Sequence, residues 1–378
     1  MRRAKEKDLF LKICDYNNLY QAYLNARKGK RNYKEVKMID KDPQKYLLKI
    51  QEMLLNGTFH TSPYIKFYKQ EGDKLRKIFK LPFYPDRIVQ WAIIQIIQPH
   101  IINKFIKNTY SSIPNRGIHA GLNDIKRALK DEVGTEYCLK LDIKHYYQSI
   151  DHNILKSIYR EIFSEEKLLD LIFEIIDSID TCDEEDIYFI YGELATVIHE
   201  CIDGYEVGIP IGNFLSQYSA NLYLTEFDHW IKEDKKIKYY FRYMDDIVIL
   251  SDSKGELHKL RKEIEVYLYN NLRLRLKRNY QVFKVSRRGV DFLGYRNFHR
   301  YSILRKSTCR RMKIKLKKIY KKVRRGKEIN FSDYCCIGSY IGWLKHCNSH
   351  RLYQKYVKPL LIYCKAYHDK YLVNKEVV

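Results

Sequence analysis

The chain has 378 residues and a formal net charge of +24, from 70 Lys and Arg against 46 Asp and Glu, and 34 of its residues are Tyr. That length suffices to bury a core in two or three closely packed subdomains, and the cationic excess points to a polyanion as partner. Nine Cys at irregular spacings leave no readable zinc site, and no apolar run approaches a signal peptide or a membrane span, so a reduced cytoplasmic setting without membrane attachment is expected.

In chain order, residues 1–60 read as charged helix. Within "DPQKYLLKIQEMLLNGTF", 42–59, apolar residues recur at helical spacing and Gly57 supplies a stop. Between Tyr64 and Phe83 two basic-aromatic strands flank "EGDK", the pattern of a hairpin. Pro85 then opens an apolar helix, "PDRIVQWAIIQIIQPHIINKF", whose interior belongs to the core. Residues 115–130 form a loop and an amphipathic helix, and 137–151 hold a short strand entering a turn. The span 151–207 is mainly helical. It carries "DTCDEED", 180–186, which lacks the Gly and ligand order of a calcium loop and reads as a solvated acidic loop.

"GIPIGNFLSQYSANLYLTEFDHW", 208–230, begins with two glycines that permit close backbone approach and continues as a helix through Leu215, Tyr218, Ala220, Leu222 and Leu224. A β-rich block, 237–300, follows, and the remainder is basic and helical. Tyr is interleaved with Lys and Arg in "KYYFRYM" and "KKIYKKVRR", a mixture suited to neutralising a nucleic-acid backbone and stacking on bases. There is no internal repeat and no low-complexity linker.

Inside the β-rich block, "FRYMDDIVIL", 241–250, sets Asp245 and Asp246 side by side between two strand-like runs. Turn chemistry alone accounts for an isolated Asp-Asp. A third acid changes the reading, because carboxylates held together need bound divalent cations to offset their repulsion. In "CLKLDIKHYY" the apolar Leu139, Leu141 and Ile143 alternate with Lys140, Asp142 and Lys144, which places Asp142 on the opposite strand face from its apolar neighbours.

Strand-Asp, Gly-loop-helix and Tyr-x-Asp-Asp hairpin, in that order, resemble the palm of reverse transcriptases, with the resemblance running from Arg76 to Leu344. It implies an α+β right-hand polymerase: N-terminal helices and fingers at 1–136, a palm at 137–300 with part of the fingers inserted, and a basic helical thumb at 301–378. Asp142 and Asp245 would bridge two Mg²⁺ ions, Mn²⁺ being able to substitute, with Asp246 as a more peripheral third acid. Tyr147, five residues after Asp142, matches the steric gate that selects deoxynucleotides. Arg76, Lys77 and Lys80 are candidates for triphosphate contact, and Lys277, at the end of "LRLRLK", for protonating pyrophosphate. Tyr243 and Met244 of the turn, and Phe292, Leu293, Gly294 and Tyr295 of "DFLGYRNF", match the primer-supporting segments. Arg310, Arg311 and Lys318 lie in a segment, 305–327, that holds thirteen Lys or Arg beside a stripe of Met312, Leu316, Ile319 and Val323.

In the second palm motif this chain reads Ile211-Gly212-Asn213-Phe214-Leu215-Ser216-Gln217, where most of the family has Q-G-x-x-x-S-P. Ile211, Gly212 and Gln217 are thereby candidates for contact with the incoming nucleotide, and Ile in place of Gln implies weaker discrimination against wrong nucleotides. The departure resembles bacterial reverse transcriptases of diversity-generating retroelements and related antiphage-defence groups. The partners implied are a cognate structured noncoding RNA as template, a DNA primer or cDNA, dNTPs and an accessory protein subunit. No ribonuclease H, zinc-type endonuclease or integrase is expected. A template-directed RNA polymerase would carry an acid at Tyr147 and Gly-Asp-Asp at the hairpin. A non-catalytic RNA-binding scaffold would not need all three acids.

Overall fold

The protein is described by a computed structural model covering residues 7–71, 74–178 and 207–371; the acidic run 180–186 and the side chains of Arg76 and Lys77 lie outside what is described. The chain divides into two compact units, both discontinuous. The first takes 1–114, 141–238 and 259–280, and the second takes 115–140, 239–258 and 281–378.

The first unit begins with the helices Leu9–Cys14, Tyr16–Ala26, Lys34–Lys41 and Pro43–Leu55. Asp15 and Asp42 cap two of them by accepting from Asn18 N and Lys45 N, and Gly57, with φ +66, follows the last as the sequence leads one to expect. The apolar helix runs Ile88–Ile102 and is buried nearly all round, packing on Tyr16–Ala26 and on Phe214–Tyr223. It does not open at Pro85. Phe83–Arg87 make a wider turn first, with Tyr84 extended at φ −110 and ψ 133, because the proline ring keeps the preceding residue out of the helical region.

Strands β1 (Ile65–Glu71) and β2 (Lys74–Lys80) pair antiparallel, with Phe67 opposite Ile78, as the predicted hairpin. Helices His152–Ile162 and Glu166–Asp177 follow. Gly208 and Gly212 take φ +95 and +120 ahead of the helix Phe214–Tyr223. At Gly212 a Cβ would stand 3.4 Å from the Phe79 carbonyl oxygen, so the loop's approach to β2 and its backbone both call for glycine.

The second unit is built on a sheet of order β4-β5-β3-β6. Its strands are β3 (Tyr137–Asp142, the last two residues of which fall in the first unit), β4 (Tyr239–Tyr243), β5 (Asp246–Ser251) and β6 (Gln281–Lys284). Tyr240, Phe241 and Ile247 through Leu250 are buried, as in a sheet covered on both faces. The expected β-rich block 237–300 also contains a 19-residue helix, Lys254–Leu272. Its buried Leu257, Leu260, Ile264 and Leu268 recur every three or four residues, a helical period that the flanking strands obscure.

Three short antiparallel strands, β7 (Val290–Phe292), β8 (Tyr295–Asn297) and β9 (Ser302–Leu304), lead into helices Lys306–Arg324 and Phe331–Lys345. Met312, Leu316, Ile319 and Val323 form the buried stripe of the first helix, and Asn330 and Asp333 close a capping box on the second. Mixed helix and antiparallel sheet make this the α+β class expected from the sequence. The described cysteines carry no disulfide, and burial pushes the Cys138 thiol up to about 12. No described helix is long and apolar enough to cross a membrane.

Candidate active site

In the second unit, Tyr243 pairs with Asp246 across the ladder, leaving Met244 and Asp245 as a two-residue hairpin loop. Met244 sits at φ +53. Its carbonyl accepts from Nη1 of Arg242, a fully buried arginine, at 3.2 Å. The turn that carries the two acids is therefore held from beneath by a charge-assisted bond.

Asp246 opens β5 and is engaged by Lys140 of β3, whose Nζ lies 3.0 Å from Oδ1 and 3.2 Å from Oδ2. The same ammonium donates to the carbonyl of Asp291 at 2.5 Å. One lysine thus ties the acidic hairpin to β7. Alternation along β3 puts Lys140 on the same face as Asp142, which was the only hint of this role in the sequence.

In the first unit, Asp142 ends β3, and Lys277 meets it twice: Nζ to Oδ1 at 2.6 Å and backbone N to the Asp142 carbonyl at 2.9 Å. Ile143 bridges Leu276, and Lys144 N donates to the Arg275 carbonyl, so "LRLRLK" runs antiparallel to the end of β3. Lys277 is consequently the counter-charge of Asp142. Both side chains are about a third exposed, at 31% and 41%, which keeps the pair weak enough to open.

Beside this pair lies an open cleft of about 920 Å³ lined by Lys144, His145, Arg275, Lys277 and Arg278 with Glu265 and Tyr269. Burial, then the charges of Arg275 and Arg278, push the Lys144 ammonium below its ordinary range. Such crowding of cations favours an anionic occupant.

Tyr146 and Tyr147 part company. Tyr146 is buried and its hydroxyl donates to the Ala220 carbonyl, whereas Tyr147 is partly exposed and meets the Tyr146 ring edge-on at 5.8 Å. Tyr146 fills the core position, which leaves Tyr147 at the surface. Ile211 is half-exposed at the Gly212 bend, and the Gln217 side-chain oxygen accepts from Ser112 Oγ at 3.1 Å. Buried Gln90, which the sequence pattern did not single out, accepts from Phe214 N and so anchors this loop. Lys80 is exposed with its Nζ 5.6 Å from the Tyr33 ring centroid; Arg76 and Lys77 pair in the ladder with Lys69 and Tyr68.

In the segment matched to primer support the large side chains turn inward. Phe292 and Tyr295 are fully buried and Leu293 nearly so; Tyr295 stacks on Trp343 at 5.2 Å and donates its hydroxyl to the Trp343 carbonyl at 3.0 Å. The Tyr295 ring holds β8 against the helix Phe331–Lys345, and the buried side chains present no face to a ligand. Only the backbone around Gly294, at φ +84, is left for that role. Arg310, Arg311 and Lys318 are exposed on the helix Lys306–Arg324. Among the described residues no group of three or more His, Cys, Asp or Glu is gathered as a metal site.

Residues 68–297 match the family described as reverse transcriptase (RNA-dependent DNA polymerase). The chain is 22% identical over 281 residues to Protein YkfC of Escherichia coli (strain K12), covering 65% of this chain and 70% of that protein. It is 21% identical over 345 residues to Group II intron-encoded protein LtrA of Lactococcus lactis subsp. cremoris, covering 74% of this chain and 53% of that one, so it spans about half the length of LtrA. Among solved structures, an apo telomerase from Candida tropicalis truncated from its C-terminal domain aligns over 71% of this chain and 59% of its own, at 12% identity and a TM-score of 0.43.

Proposed function

The chain belongs to the reverse transcriptase family, and from that premise we propose that it copies a dedicated RNA into cDNA by nucleotidyl transfer at Asp142, Asp245 and Asp246. The observation that carries this reading is the tight hairpin loop presenting Asp245 and Asp246, in the sheet whose strand β3 ends on Asp142. The donor set suits Mg²⁺, which prefers hard carboxylate oxygens and keeps waters, and the partial exposure of Asp142 and Asp246 leaves room for them. Asp142 and Asp245 would hold two such ions, which when bound lower the pKa of the primer 3′-hydroxyl and stabilise the leaving pyrophosphate.

The chain's own residues do the rest. Lys140 holds Asp246 in place at the start of β5, and Asp245 in the loop takes the metal. Lys277 and the cations of the adjoining cleft receive phosphate oxygens, Arg76, Lys77 and Lys80 of the β1–β2 hairpin are the candidates for the triphosphate, and Tyr147 serves as the gate under the sugar. Arg310, Arg311 and Lys318 meet the heteroduplex backbone. Fingers at 1–136, palm at 137–300 and thumb at 301–378 complete the assignment.

Two variants test these roles. Tyr147→Ala should raise incorporation of ribonucleotides over deoxynucleotides by roughly tenfold or more in a competition assay; an unchanged ratio would place the gate elsewhere. Lys140→Met should slow extension about tenfold through a misplaced Asp246. Because a competing cation has left, it should also lower the Mg²⁺ concentration at half-maximal rate. An unaltered rate and metal midpoint would contradict the tie.

We assign the protein to a cytoplasmic, diversity-generating type of system with a cognate structured RNA and an accessory subunit, on the strength of Ile211 and Gln217 in the second palm motif. Sequencing the RNA and cDNA that accompany it in cells checks this. Substitutions concentrated at template adenines are expected. A short noncoding RNA copied in response to phage would move the protein to antiviral defence, and cDNA from arbitrary cellular RNAs would exclude both.

A further inference from the structure

The turn between the helices Tyr16–Ala26 and Lys34–Lys41 is folded by Lys30 N donating to the Arg27 carbonyl and Tyr33 N donating to the Lys30 carbonyl, each at 2.9 Å. It is docked on the segment Phe83–Arg87 by Glu35, whose Oε1 accepts from the backbone of Phe83 at 2.9 Å and of Tyr84 at 3.4 Å. Arg87 stands in this junction, partly buried, and its Nε is closed off from solvent without a hydrogen bond.

None of the nearby acids pairs with Arg87. Glu35 is spent on the two amides. Asp86 turns Oδ1 to Ser62 N at 2.8 Å, its Oδ2 is closed off from solvent without a hydrogen bond, and burial pushes its carboxyl up, toward the neutral form. Asp40 pairs with Arg27 and with the Tyr23 hydroxyl. Among the described residues no carboxylate forms an ion pair with Arg87 or Lys30. Burial lowers Arg87, and burial followed by the Arg87 charge lowers Lys30, so the two cations feel each other.

A guanidinium whose Nε is shut off from solvent without a partner carries a desolvation cost that a bound anion would offset. Arg is also the side chain whose planar fork matches phosphate oxygens. We infer that Arg87 and Lys30, with Tyr33 beside them, form an anion site for a phosphate group, filled in the working protein by a backbone phosphodiester of the bound RNA. The phosphate chemistry stands on the geometry alone; the choice of RNA as its source rests on the function proposed above.

Arg87→Gln in the full chain tests the inference. Wild-type protein should melt at higher temperature as inorganic phosphate is added, and the variant should lose most of that response. Without phosphate the variant should melt no lower than wild type, since no unpaired charge remains to be buried. Its affinity for a single-stranded RNA oligonucleotide, measured without dNTPs, should fall on the order of tenfold. The salt dependence of that affinity should become shallower by about 0.7, the share of one phosphate. Lys30→Gln, made in a surface turn, should move both readouts in the same direction by less.

A variant that melts well below wild type in phosphate-free buffer and binds RNA and phosphate as before would overturn the site, because Arg87 would then be structural. An unchanged RNA affinity with a raised KM for dNTP would keep the phosphate site and remove RNA as its source. A protein that never extends a primer but shows Arg87-dependent phosphate and RNA binding would overturn the polymerase reading and leave the anion site standing.

Discussion

Asp245→Asn is expected to lose about three orders of magnitude in primer extension, ~4 kcal/mol of transition-state stabilisation, while its RNA affinity stays at the wild-type level. Asp245 occupies a two-residue loop whose shape is set by the ladder pair Tyr243–Asp246 and by Arg242 beneath Met244. An isosteric amide leaves that loop intact and removes only the charge a divalent ion needs. Extension rate and RNA Kd measured on the same preparation separate chemistry from binding. Asp246→Asn should cost less, as expected of the more peripheral acid. Normal extension by Asp245→Asn would contradict the assignment of the hairpin.

Gly294→Ala is expected to destabilise the protein by ~3 kcal/mol. Gly294 has φ +84, where an L side chain costs about 1–2 kcal/mol. A Cβ there would lie 2.6 and 2.7 Å from two carbons of the Trp343 ring. That ring cannot move aside freely, because Tyr295 stacks on it and bonds its carbonyl, so overpacking adds a further ~1–3 kcal/mol. The denaturant midpoint reads the loss directly. A midpoint within the error of wild type would mean that the turn and the helix Phe331–Lys345 yield more easily than their packing implies.

Local pattern made much of this protein legible. The helix Pro43–Leu55, the β1–β2 hairpin, the alternation that faces Asp142 away from Leu139 and Leu141, and the stripe of Met312, Leu316, Ile319 and Val323 all follow from spacing, because each repeats the period of its element, whereas the division of 1–60 into four helices does not. What spacing cannot supply is the partner of a side chain. Lys140 finds Asp246 across 106 positions of sequence, and Lys277 finds Asp142 across 135. Both pairings depend on which strands adjoin, and strand order is a tertiary property.

The motif "DFLGYRNF" marked a hairpin, and its rings are buried because a strand with one face on a helix covers its aromatic residues whatever lies beyond the turn. The late start of the helix Ile88–Ile102 follows from the constraint proline places on the residue before it, which here outweighs the preference for proline in a first turn. Arg87 gave no signal at all. Its interest lies in its pairing with none of the acids around it, which only the three-dimensional arrangement reveals.

RNA-templated primer extension by the purified chain tests the central claim most directly. With a DNA primer, an RNA template, dNTPs and Mg²⁺, the account predicts alkali-resistant product reaching the template end, abolished by chelation and by Asp245→Asn. No extension under these conditions or with Mn²⁺, from a chain that binds the primer–template, or a product built from ribonucleotides, would contradict it.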